Sequence, residues 1–167
     1  TKVKVTLFNK KQIEEMKMTA YLTVARGSVN EPVFIVMEYK GNPDSDDLLG
    51  LVGKGLTFDT GGYSLKPTPS MIHMKSDMGG AAAVIGAMRI LTKNKVKANV
   101  TAVVAACDNM ISADAYLPGD IVTTKSGKTI EIMNTDAEGR LTLADAMTVI
   151  IKDYKVDKVI DIATLTG

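Results

Sequence analysis

The sequence predicts an α/β domain in three layers, α/β/α, with helices on both faces of a central mixed sheet. Three observations carry that expectation. Apolar runs of strand length recur at residues 33–39, 48–52, 99–107 and 159–165. Two longer stretches, 78–93 and 141–154, carry small or apolar residues at helical spacing. Strands that alternate with helices of this length favour a sheet covered on both sides.

Taken in order, residues 10–18 read as a short amphipathic helix. Residues 21–25, Tyr-Leu-Thr-Val-Ala, read as a strand, because aromatic and β-branched side chains favour a pleated surface. Residues 33–39 form the next strand, antiparallel or near an edge. A turn over 41–46 leads to strand 48–52, which ends in a loop rich in glycine (Gly53, Gly55, Gly61, Gly62). Asp77 stands where an N-cap belongs, ahead of helix 78–93. Strand 99–107 follows. Residues 121–124 and 129–133 flank Lys125-Ser126-Gly127-Lys128, a hairpin signal. Leu141, Ala144, Met147, Ile151 and Tyr154 share one helical face, and 159–165 is a final buried strand.

Composition narrows the function. A chain of 167 residues that is 46% hydrophobic suits one domain with a real core. No apolar run is long enough to span a membrane. A net charge of +1 without a basic cluster argues against a nucleic-acid surface. Cys107 is the only cysteine, no CxxC or GxSxG is present, and no signal peptide is visible. A cytoplasmic, reducing setting is expected, and thiol or serine nucleophiles are disfavoured. The single histidine, His73, reads as a loop residue rather than a ligand.

The densest chemistry lies in Asn134-Thr135-Asp136-Ala137-Glu138-Gly139-Arg140-Leu141. On an extended backbone Asp136, Glu138 and Arg140 would face one way, with Gly139 turning the chain into the helix that follows. Converging carboxylates need a cation between them, and an arginine at their edge can hold an anion. A solvated loop would equally account for this motif alone. Upstream, Lys54 and Asp59 leave the end of strand 48–52, Lys66 follows in Ser64-Leu65-Lys66-Pro67, and Asp77 opens a helix. Each has an ordinary alternative as a cap or surface charge.

Together VGKGLTFDTGG, SLKP, MKSDMGGAAAV, PGDI, NTDAEGRLTLADA and DIATLTG resemble the leucine aminopeptidase (cytosol aminopeptidase) family, in family order over roughly residues 20–167. The resemblance implies a two-metal aminopeptidase that removes neutral N-terminal residues such as Leu from peptides, using a water that bridges two divalent ions (Zn, Mn or Mg). It implies metal ligands at Lys54, Asp59, Asp77, Asp136 and Glu138. Lys66 and Arg140 match the non-ligand catalytic positions, with bicarbonate on Arg140. A homohexameric, cytoplasmic parent is implied as well. Only a neutral amine coordinates, so Lys54 is expected below the usual lysine pKa.

The resemblance implies a catalytic domain that continues past Thr166-Gly167 and a separate N-terminal domain outside residues 1–167. Residues 1–167 are therefore expected to be part of a metallo-aminopeptidase catalytic domain, with a sheet truncated at its C-terminal side. The alternative is a non-catalytic fragment or a module binding DNA or a partner. Asp108, Leu117, Tyr63 and residues 113–115 depart from the family pattern without touching a ligand position.

Overall fold

A computed structural model describes residues 2–166. Seven strands, β1 Val3–Phe8, β2 Val33–Lys40, β3 Leu48–Asp59, β4 Asn99–Asn109, β5 Ile121–Thr123, β6 Thr129–Glu131 and β7 Lys158–Ile162, alternate with five helices. The helices are α1 Lys10–Glu15, α2 Thr19–Ala25, α3 Thr68–Met71, α4 Gly79–Lys93 and α5 Glu138–Lys152. The main sheet has the order β1-β2-β4-β3-β7. β1, β2 and β4 pair antiparallel, while β4, β3 and β7 run parallel. β5 and β6 form the expected hairpin, with Gly127 at φ 88° in its turn.

The three layers follow from strand alternation. Val52, Leu56, Val103, Ala105 and Cys107 point to one face, where α1, α2 and α5 close the larger core. Leu51, Val100, Ala102 and Val104 point to the other, against Ala81, Val84 and Met88 of α4. The mixed α/β architecture thus matches the sequence expectation.

Several elements differ. Residues 21–25 belong to helix α2, not to a strand. Ala20, Tyr21, Val24 and Ala25 are buried at helical spacing, the Asp145 carboxylate accepts from Tyr21 N (3.1 Å), and Tyr21 Oη donates to the Ala106 carbonyl (2.6 Å). Tertiary packing on α5 and β4 outweighs local strand preference. α1 stops at Glu15, short of residue 18, and Lys17 takes φ 58°. A capping box between Asn9 and Gln12 starts α1. β1, unassigned from sequence, occupies one edge of the sheet.

Strand 48–52 runs on to Asp59, so Gly53, Lys54 and Gly55 lie in the strand rather than in a loop. A Cβ at Gly53 would sit 2.8 Å from the Ala81 Cα, so this glycine admits the close approach of α4. Asp77 is not an N-cap: it ends the 3₁₀ turn Met74–Ser76, and α4 begins at Gly79 after Met78. The last strand, β7, is an edge strand with Ile160 51% exposed, so it is not buried as expected.

Candidate metal centre

The site gathers where the parallel strands end. Lys54 and Asp59 are five positions apart on β3 and would face opposite sides of a regular strand. The β3–β4 register slips between Leu56 and Phe58, placing an extra residue, Thr57, in β3. This bulge returns Asp59 to the face of Lys54. Both side chains are buried, as are Asp77 and Glu138.

The motif around Asp136 is not extended. Thr135–Ala137 form a 3₁₀ turn, Asn134 Oδ1 accepts from Asp136 N (2.8 Å), and Glu138 opens α5. A turn followed by a helix start, rather than strand alternation, brings the two carboxylates round. Gly139 lies inside α5 and does not turn the chain; a Cβ there would stand 2.8 Å from Lys54 Cε.

Two lysines divide the carboxylates. Lys54 Nζ lies 2.9 Å from Asp77 Oδ1 and 2.9 Å from Glu138 Oε1, and donates to the Thr164 carbonyl at 2.8 Å. Lys66 Nζ lies 3.1 Å from Asp59 Oδ2 and 2.5 Å from Asp136 Oδ1. Oxygens of Asp59, Asp136 and Glu138 fall within 4.8 Å of one another. Six of the seven expected residues line one cleft of about 680 Å³, with the fully buried Glu138 behind it. Arg140 lines the same cleft and is exposed, two residues past Glu138 in α5.

Burial, then the neighbouring Asp59, pushes Glu138 up to about 7 against the pull of Lys54. Burial also raises Asp77, despite its bonds to Lys54 and Thr164. At Lys54 burial acts downward, but Glu138 and Asp77 outweigh it and hold the ammonium above the usual lysine range; the lowering expected of a ligand belongs to the metal-bound state. For Lys66 too, burial opposes the charge and loses to Asp136 and Asp59. His73 is exposed, as the sequence suggests. Cys107 is buried and its thiol is pushed well up by burial, so it is poorly nucleophilic.

The donor set suits hard divalent cations. The buried Asp77 Oδ2 and Glu138 Oε2 have no hydrogen-bond partner among the described residues. Buried carboxylate oxygens left without a donor call for positive charge.

A family profile described as "Cytosol aminopeptidase family, catalytic domain" matches residues 1–167. The chain belongs to the cytosol aminopeptidase family. It is 61% identical over 165 residues to a probable cytosol aminopeptidase of Clostridium tetani, covering 99% of this chain and 34% of that one. A protein of the same description from Treponema denticola is 59% identical over 165 residues, covering 99% and 35%. The structure of Caenorhabditis elegans leucine aminopeptidase superimposes with a TM-score of 0.94 at 37% identity, covering 99% of this chain and 34% of the other. This cytosol aminopeptidase domain thus spans about a third of the length of its curated relatives.

Two site residues were not singled out from the sequence. Asn109, outside the quoted motifs, and Thr164, within DIATLTG, bond Asp59 and Asp77 through contacts made only in the folded chain. Thr164 Oγ1 donates to Asp77 Oδ1 at 2.8 Å while its carbonyl receives Lys54. A polar residue closing an apolar strand, as Asn109 closes β4, is the only hint the sequence offers.

Proposed function

We propose that this domain carries the two-metal centre of an aminopeptidase that hydrolyses the N-terminal bond of peptides with neutral leading residues such as Leu. The observation that carries the proposal is the cluster of Asp59, Asp136 and Glu138, with Lys54 and Asp77 beside it, in a chain of the cytosol aminopeptidase family. Lys54, Asp59, Asp77, Asp136 and Glu138 would hold the ions. Two divalent cations supply a water of lowered pKa and a Lewis acid for the scissile carbonyl.

The chain's own groups supply the rest. Lys54 would ligate only as the neutral amine, a form that divalent charge beside it would favour. Lys66 stays cationic between Asp59 and Asp136, where it can stabilise the oxyanion developing on the substrate; such a donor is worth about 10²–10³ in kcat. Arg140, exposed and lining the cleft, offers a fork for bicarbonate, which would accept the proton of the attacking water in place of a protein base. Zinc, manganese and magnesium are the candidate ions. A cytoplasmic homohexameric parent is carried over from the resemblance. The intact set of seven residues favours the enzyme over a DNA- or partner-binding module.

Calorimetric titration with Zn²⁺ and Mn²⁺, paired with a leucine-anilide assay of the full-length protein, tests the proposal. Asp136→Ala should lose tight binding of at least one ion and most turnover. Arg140→Ala should keep its metal and lower kcat. Full activity of Asp136→Ala in metal-replete buffer would refute the assignment.

A further inference from the structure

Asn109 is the last residue of β4, fully buried, on the face that presents Val103, Ala105 and Cys107 to the larger core. An apolar column ends in an amide. Its Nδ2 donates to Asp59 Oδ1 at 2.8 Å and to the Thr135 carbonyl at 3.0 Å. Both partners are acceptors only, so the amide nitrogen must face them; a flipped amide would set oxygen against two oxygens. The other end, Asn109 Oδ1, is buried without a partner among the described residues. That orphan is a penalty leucine would not incur, so packing alone does not explain the residue. The backbone carbonyl of Asn109 also accepts from Thr60 N (3.0 Å) and Thr60 Oγ1 (2.9 Å), fixing the segment just past Asp59.

We infer that Asn109 is a positioning residue for the metal centre: its amide ties the Asp59 carboxylate to the turn that bears Asp136 and Glu138. The inference rests on the two-metal proposal above. Asp59 lies at the end of β3, while Asp136 and Glu138 belong to the turn that opens α5. One amide with two N–H groups bridges these segments, alongside the Thr135–Gly61 hydrogen bond and the Lys66 ion pairs. Outer hydrogen bonds of this kind orient ligating carboxylates. Tyr116 Oη also donates to the Thr135 carbonyl (2.8 Å), but unlike Asn109 it is bonded there to no ligand carboxylate.

The test is Mn²⁺ titration calorimetry of the 167-residue chain and of Asn109→Asp, Asn109→Leu and Tyr116→Phe, each first shown by circular dichroism to melt cooperatively. Asn109→Asp keeps the shape, removes both donors and adds negative charge. Charge alone would tighten Mn²⁺ binding; loss of positioning should weaken it by about 10- to 100-fold. Tyr116→Phe should leave the affinity within a few-fold of the parent. Unchanged or tighter binding in Asn109→Asp overturns the inference. Should that variant fail to melt cooperatively, Asn109→Leu decides on the same criterion, weaker binding supporting the role and unchanged binding overturning it. An unsubstituted chain that binds no Mn²⁺ overturns the metal proposal itself, an outcome distinct because it appears without any substitution.

Discussion

Asp108 shows how one residue reaches the site without entering it. Its carboxylate lies on the side of β4 opposite Asn109 and receives the Thr57 hydroxyl, Ser28 Oγ (2.9 Å) and Asn30 Nδ2 (2.8 Å). Thr57 is the extra residue of the bulge. Burial opposes the charge of Asp108, but these three donors prevail and hold its pKa below the ordinary range. A carboxylate lowered by folding adds stability above its unfolded pKa and loses it as pH falls through the folded value. Asp108→Asn should therefore destabilise the chain by about 2 kcal/mol at neutral pH. The difference should shrink below about pH 4. Urea unfolding at pH 7 and pH 3.5 would show it; an equal gap at both would exclude a role for the charge.

At the scale of elements, the β3–α4 contact makes the centre possible. Gly53 lets α4 lie against the strand, and a Cβ at Gly80 would overlap the Ile162 carbonyl of β7. This close packing brings Asp77, just before α4, to Lys54. Gly53→Ala should cost about 1–3 kcal/mol by overpacking. Gly86 lies on the same helix with nothing near its missing Cβ. Gly86→Ala should instead stabilise by about 0.5–1 kcal/mol. Denaturant midpoints of the pair would separate packing from helix propensity. The helical character of α2 belongs to this scale as well. Tyr-Leu-Thr-Val-Ala carries strand preferences, and Asp145 on α5, with the Ala106 carbonyl of β4, fixes Tyr21 in a helix.

Over the whole molecule, charge is concentrated at one end of the sheet. Four acidic groups and two lysines lie past or near the ends of β3, β4 and β7, and the buried Asp77 Oδ2, Asn109 Oδ1 and Glu138 Oε2 there go without a partner among the described residues. Ions that bind only the folded chain stabilise it by mass action. Mn²⁺ at a hundred times its Kd should add about 2.7 kcal/mol. A thermal melt with and without Mn²⁺ would read this as a rise in Tm that Asp136→Ala abolishes. An unchanged Tm in the parent would count against the centre. At the far side of the site β7 remains an edge, and Ile160 and Leu165 stand half-exposed beside the cleft.

By itself the sequence determined the layered α/β architecture, because burial on two faces leaves apolar runs of distinct length and period. It also singled out Lys54, Asp59, Lys66, Asp77, Asp136, Glu138 and Arg140 as candidates, since its ordered motifs resemble one family, and six of them line one cleft with Glu138 buried behind it. Tertiary structure alone decided how they meet. The bulge at Thr57 rephases Asp59, a 3₁₀ turn replaces the extended strand expected at Asp136, and Lys54 lies between Glu138 and Asp77. These depend on contacts between segments far apart in the chain, as does the amide of Asn109. Local spacing records which face a residue prefers, but not which distant carboxylate will be waiting there.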